Sequence, residues 1–296
     1  MVKQNSTKAW LLASRPKTLT AASIPVMLGC ALASMYGHFQ LIPAILCFLF
    51  AFLMQIDANF INDLYDYLKG TDREDRLGPE RACAQGWISP SGMKKGIVIT
   101  TFLAALDGLC LLWYGGWEMI PVGIACIIFA FLYTTGPYPL AYHGWGDVLV
   151  LVFFGFVPVG CTFYIMAHSW NTSVTMASLA CGLVIDTLLM VNNFRDREQD
   201  AISGKKTIVV RLGARAGLIL YFLLGLAACW SCFYFVSEGK LWAAILPQIY
   251  LLLHIFTTVK MARINRGKEL NAILGETSRN MLLFGILLTA GLLITA

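Results

Sequence analysis

Residues 41–66 read LIPAILCFLFAFLMQIDANFINDLYD. The stretch 41–61 is apolar almost throughout, and a bilayer crossing needs about 20 such residues as a helix. The run then ends in acids and amides, Asn59-Phe60-Ile61-Asn62-Asp63-Leu64-Tyr65-Asp66. The same design returns after the apolar run 174–193, as Asn192-Asn193-Phe194-Arg195-Asp196-Arg197-Glu198-Gln199-Asp200. At 3.6 residues per turn, Asn59, Asp63 and Asp66 share one helix face, and so do Asn192 (or Asn193), Asp196 and Asp200. Two sets of hard oxygen donors facing each other would chelate Mg²⁺, an ion that commonly arrives with substrate phosphates.

Composition carries the membrane reading to the whole chain. Of 296 residues, 58% are hydrophobic and 13% charged, with a mean hydropathy of +0.68; an ordinary water-soluble domain is excluded. Nine apolar segments are long enough to span: 18–36, 41–61, 95–115, 118–135, 147–167, 174–193, 216–236, 241–259 and 279–296. The short polar, basic N-terminal stretch and the lack of an A-x-A-like exit argue against a signal peptide.

With nine spans, the N-terminus and every even-to-odd loop share one side. Of the 22 Lys and Arg, all except Lys240 fall on that side or at its helix ends. The positive-inside rule makes that side cytoplasmic and puts the C-terminus opposite. Both acidic stretches lie on it. The expected protein is an all-α integral protein of the plasma (inner) membrane, with nine helices around a central cavity. These form two pseudo-repeated four-helix bundles plus a ninth helix, in one domain over 1–296. The repeat rests on the offset of 133 residues between Asp63 and Asp196. Eight of the nine cysteines fall inside spans, where Cys packs as a small hydrophobe; Cys83 is in a loop.

A diphosphate and four carboxylates repel one another, at about 4 kcal/mol per unit-charge pair at 4 Å and an effective dielectric near 20. A divalent metal must therefore intervene. It would neutralise the leaving group and act as Lewis acid and template. Arg195, Lys205 and Lys206 are placed to hold remaining phosphate oxygens. A polyisoprenoid substrate would require the enzyme to sit in lipid, and its allylic cation would need a dry, aromatic-lined cavity. A secondary transporter also carries intramembrane acids, but near broken helices at midplane. Here they lie at helix ends beside basic loops. A structural membrane protein would need none of them, and nucleic acid is not an expected partner.

The chain resembles the UbiA superfamily of intramembrane aromatic prenyltransferases. Asn62-Asp63-Leu64-Tyr65-Asp66 is similar to that family's first motif, N-D-x-x-D-x-x-x-D, and Asp196 to Asp200 to its second, D-x-x-x-D. The last acid of the first motif falls on Gly70, with Asp72 two residues later. Arg15-Pro16-Lys17-Thr18-Leu19, the loop 72–88, the string 133–147 and the run 193–207 resemble the 1,4-dihydroxy-2-naphthoate polyprenyltransferase branch.

That resemblance implies transfer of a polyprenyl group from polyprenyl diphosphate to the naphthoate ring, with loss of CO₂, giving demethylmenaquinone. The 4-hydroxybenzoate and homogentisate enzymes are the rival branches. It implies Asp63, Asp66, Asp196 and Asp200 as metal ligands. Asn59, Asn62, Arg73, Arg76, Tyr133, Asn193, Arg195, Lys205 and Lys206 would contact substrate. Asp72 could help deprotonate a ring hydroxyl. Tyr133 could face the cation; His143 is expected to bond within its loop rather than act as a base. Asp147 either caps a helix or orients a loop arginine, Asp186 stands behind the second motif, and Asp107 is expected to be paired.

Overall fold

An apolar segment in lipid can satisfy its backbone only within itself, so these runs fold as helices. The structure, a computed structural model, describes residues 2–71 and 76–294. In chain order the helices are α1 (Thr7–Ser14), α2 (Leu19–Met35), α3 (Leu41–Leu68), α4 (Pro90–Gly115) and α5 (Met119–Thr134). They continue as α6 (Gly146–Ala167), α7 (Thr172–Ile202), α8 (Ile208–Val236), α9 (Leu241–Ile264) and α10 (Leu270–Leu293).

Among the described residues, seven segments are long and apolar enough to cross a membrane: α1 with α2, α3, α4, α6, α7, α8 and α9. Two further helices cover the other expected spans. α5 is apolar but only 16 residues long, and α10 is a 24-residue helix outside the seven.

Local chemistry sets the ends. Ser6, Ser89, Asn171 and Thr207 cap α1, α4, α7 and α8, each side chain accepting a backbone N–H of the first turn. α3 stops because Gly70 takes a left-handed φ of 69° just past its end. α7 continues through Ile202, so the second acidic stretch is helical to Asp200 and beyond. Successive helices reverse direction. The ends of α3, α5 and α7 therefore meet the starts of α4, α6 and α8 at one end of the bundle.

The main core lies between α2, α6, α7 and α10, where Ile24, Leu28, Phe163, Val184, Phe284 and Leu288 are fully buried. Helix backbones approach closely where glycines permit it. A Cβ on Gly155 would lie 2.6 Å from the Ser178 carbonyl oxygen and 2.9 Å from the Gly182 Cα. Outside, Val98, Phe102 and Phe256 are exposed, which suits lipid as the surrounding solvent and not water. Trp113, Trp117 and Trp230 are exposed at the end opposite the acidic motifs, as interface anchors are.

Two buried polar groups inside the spans are satisfied. Asp57 on α3 accepts hydrogen bonds from Thr100 and Thr101 of α4. His254 faces the Tyr250 hydroxyl at 3.1 Å and the Tyr221 carbonyl at 3.0 Å. Asp107 corrects the expectation of a partner: it is buried on α4, and among the described residues neither carboxylate oxygen has one. It lies beside the thiol of Cys47, a poor donor to a carboxylate. All nine cysteines are free.

Candidate active site at the α3 and α7 ends

The face expected to hold Asn59, Asp63 and Asp66 together divides in two. Asn59 turns toward the N-terminal segment, donating to the Ser14 carbonyl and the Thr18 hydroxyl, both at 3.0 Å. Asp63 follows it: one oxygen accepts the Ala82 N–H and the other the Cys83 N–H, each at 2.9 Å. The Arg15 guanidinium lies 3.9 Å away. Both of its oxygens thus anchor the turn after the loop. The physical reason is the partner: the three residues lie within about 60° of one another, but the Ala82–Cys83 turn arrives against Asp63 and takes both its oxygens.

Asn62 points the other way. It accepts a hydrogen bond from the Thr134 hydroxyl and lines the central cavity. Asp66, one turn later, accepts from the Tyr142 hydroxyl at 3.3 Å and pairs with Arg81 at 3.7 Å.

On α7, Asn192 lines the same cavity; Asn193 is half-buried and outside its lining. Asp196 is held in a two-bond clasp by its neighbour Arg195, at 2.8 and 2.6 Å. Arg195 is itself buried and donates to Asn271 of α10, whose amide donates to the Leu77 carbonyl. Asp200 pairs with Lys205 at 3.5 Å. Asp200 lies close enough to Asp196 and to Asp66 to feel the charge of both. Asn62 and Asn192 thus both reach the cavity, each one turn before an acid, Asp66 and Asp196.

Basic and aromatic groups close this end. The Tyr142 ring lies 4.5 Å from the Lys69 ammonium and 4.9 Å from that of Lys205. Burial depresses Lys69 below its ordinary pKa, with Asp66 opposing and Lys205 adding to the shift. Burial would also lower Lys205, but Asp66 and Asp200 outweigh it and hold its pKa raised. Burial, reinforced by Asp66, pushes the Tyr142 phenol up.

Lys206 is exposed, its backbone N–H on the Tyr142 carbonyl. Arg76 donates to the Pro79 carbonyl. His143 bonds the Pro139 carbonyl at 2.9 Å and stacks on Tyr138, as expected of a loop residue. Asp147 lies in the first turn of α6 and bonds its own backbone there; among the described residues its other oxygen is buried without a partner, as is one of Asp186, which lies in its field. Asp72 and Arg73 lie outside the described residues.

Below these groups opens a cavity of about 550 Å³. Thr18, Gln55, Asn62, Tyr133 and Asn192 form its polar rim, and Phe50, Phe129, Phe153 and Phe154 line it further in.

Among the described residues no three His, Cys, Asp or Glu side chains are gathered as a metal centre. The donor chemistry nevertheless fits a divalent cation. Asn62 and Asn192 bring hard oxygens to the cavity, and Asp66, Asp196 and Asp200 add theirs one or two turns further along the same helices. Their charge is balanced by cations, with Lys205 acting on Asp66 and Asp200 together. Reading the sequence missed Arg81, Asn271 and the Lys69–Tyr142–Lys205 stack. Their partners come from distant loops, and no spacing along one helix reveals them.

The profile of the UbiA prenyltransferase family matches residues 22–294. The chain belongs to this family. The 1,4-dihydroxy-2-naphthoate octaprenyltransferase of Haemophilus influenzae is 35% identical to it, over 97% of this chain and 96% of its own length. The Escherichia coli protein of the same name is also 35% identical, over 98% and 96%. The solved UbiA homolog from Archaeoglobus fulgidus bound to GPP and Mg²⁺ superposes with a TM-score of 0.68. It is 17% identical, over 97% of this chain and all of that one. The apo UbiA homolog from Aeropyrum pernix gives 0.69 at 18% identity, over 92% and 96%. At these identities the two structures establish the family's helical fold for this chain, and the fold alone.

Proposed function

We propose that this prenyltransferase moves a polyprenyl group from polyprenyl diphosphate onto 1,4-dihydroxy-2-naphthoate, releasing diphosphate and CO₂ and giving the hydroquinone form of demethylmenaquinone. The observation that carries the reading is that Asn62 and Asn192 line an apolar, phenylalanine-lined cavity, with Asp66, Asp196 and Asp200 further along the same two helices. A charged headgroup and a long hydrocarbon chain need that division of space. The acceptor is supported by the names of the full-length relatives from H. influenzae and E. coli.

Those five side chains would hold a divalent cation, Mg²⁺ by analogy with the GPP-bound relative. When bound, it supplies charge neutralisation of the diphosphate and polarisation of the breaking C–O bond. Asp63 and Asn59 position the site instead: one anchors the 82–83 turn, the other the N-terminal segment. Arg76, Arg81, Arg195, Lys205 and Lys206 bind phosphate oxygens or the acceptor carboxylate, and Arg73 joins them.

The cavity excludes water from the allylic cation, and the face of Tyr133 stabilises it. The carboxyl-bearing ring carbon of the naphthoate forms the new C–C bond with electrons supplied by its hydroxyls. Its carboxylate then leaves as CO₂, and the bonding pair returns to the ring. Asp72 can take the hydroxyl proton; a D72N enzyme with normal turnover would remove that role. The protein acts as one transmembrane domain of nine crossings in the inner membrane. Its site loops face the cytoplasm, as 21 of its 22 basic residues direct.

The test is transfer of radiolabelled polyprenyl diphosphate by purified protein in detergent. 1,4-Dihydroxy-2-naphthoate is compared with 4-hydroxybenzoate, each with Mg²⁺ or EDTA. Mg²⁺-dependent labelling of the naphthoate with CO₂ release is expected. Labelling of the benzoate would overturn the acceptor, and no transfer to either would overturn the reading.

A further inference from the structure

A second cavity, of about 460 Å³, opens on the same end of the bundle but on its flank, between the N-terminal segment, α3 and the start of α4. Its chemistry is divided. Asn5, Ser89, Ser91 and Lys95 supply its polar lining, and Trp10, Phe60 and Ile99 its apolar lining. Trp10 is fixed there, edge-on to Phe60 at 5.5 Å, and a Cβ on Gly96 would meet its ring at 2.6 Å. The apolar wall is therefore a rigid feature.

Lys95 is exposed, next to Lys94 on the first turns of α4. Among the described residues no ion pair engages it. Directly below, Val98, Ile99 and Phe102 are exposed and form an apolar track down the helix. A cation and hydroxyls at interface depth, an aromatic wall beneath them and a lipid-facing track below match the three parts of a glycerophospholipid.

We propose that this cleft binds an anionic phospholipid of the surrounding leaflet, its phosphate on Lys95 and Ser91 and an acyl chain along Ile99 and Phe102. Charge complementarity selects an anionic headgroup, and the apolar track requires the chains. The bound lipid docks the N-terminal segment against α3 and α4, the segment that carries Trp10 and, further on, Arg15.

Native mass spectrometry of the purified full-length protein, with added phosphatidylglycerol or phosphatidylcholine, tests this. Phosphatidylglycerol is expected to be retained preferentially. Lys95→Ala should weaken it about fivefold, the worth of one lysine near an anionic surface, and Ser91→Phe should block the cleft. Lys268→Ala, on the same charged end but remote in sequence, is expected to leave retention unchanged. Glycerol 1-phosphate, which has the charge without the chains, should not compete. Equal retention of both lipids, equal loss in the Lys95 and Lys268 variants, or competition by glycerol 1-phosphate would overturn the proposal. Thermal unfolding of each variant without lipid separates loss of the cleft from loss of the fold.

Discussion

The carboxylate of Asp63 accepts the backbone N–H of Ala82 at 2.9 Å, and the next N–H, of Cys83, fills its second oxygen. This contact ties the turn that follows the basic loop to the helix carrying the first acidic motif. An asparagine there keeps one acceptor and sets an amide NH₂ against the other N–H. Asp63→Asn is expected to lower stability by about 1–3 kcal/mol, the cost of a buried polar group left unsatisfied. It should reduce turnover while leaving the Mg²⁺ concentration for half-maximal rate within twofold of wild type. Thermal unfolding and a Mg²⁺ titration of transfer measure the two effects. A large rise in the Mg²⁺ requirement would put Asp63 among the ligands.

Asp57 joins α3 to α4 through Thr100 and Thr101 inside the membrane span. Thr100 also has the Gly96 carbonyl within 3.0 Å, so it retains an acceptor if Asp57 is lost. Asp57→Ala is therefore expected to cost about 1–3 kcal/mol through the lost hydrogen bonds to a carboxylate. Activity per folded molecule should not change. Thermal unfolding in detergent, with turnover normalised to folded protein, checks both.

The alkaline limb of stability depends on Lys205. Its pKa is raised in the folded protein, because Asp66 and Asp200 outweigh the opposing effect of burial. The contribution of its ammonium is then complete below the ordinary lysine value of about 10.4 and is lost as pH rises through the folded value. Lys69, with a depressed pKa, has the opposite sign and offsets part of this. Lys205→Met should flatten the fall in stability on the alkaline side, read from melting temperatures across that range. An unchanged alkaline limb would contradict the assignment.

Much of this architecture is legible in the sequence, because membrane helices are long apolar runs and basic residues mark one end. The division of the first motif is not. Asn59, Asp63 and Asp66 lie within about 60° around the helix, so periodicity groups them. Only the arrival of the Ala82–Cys83 turn claims Asp63. Gly70 shows the reverse: the absence of an acid was visible, and the structure supplies the reason, a left-handed residue where α3 ends. Asn192 and Asn193 could not be told apart in sequence, and the cavity distinguishes them. Arg81 and Asn271 reach the site across long chain separations, which no local pattern encodes.

Gly155 and Gly182 bring α6 and α7 into backbone contact. A methyl group on Gly155 would sit 2.6 Å from the Ser178 carbonyl, a backbone atom that cannot swing aside. Gly155→Ala is expected to cost about 1–3 kcal/mol by forcing the helices apart. Gly123→Ala, with nothing within 4 Å of its added Cβ, should be close to neutral. Paired thermal unfolding curves make the comparison.

In the proposed mechanism α3 and α7 jointly hold the cation that takes charge of the diphosphate. The most direct measurement is the Mg²⁺ dependence of prenyl transfer for Asp66→Asn, Asp200→Asn and the double variant, each shown to be folded. Each single change should lower the rate about 100-fold, the scale for losing one group aimed at developing charge. Each should also raise the Mg²⁺ needed. The double variant should be far less impaired than the product of the two, because residues acting as one unit are not additive. Wild-type Mg²⁺ dependence in either single variant would contradict the account.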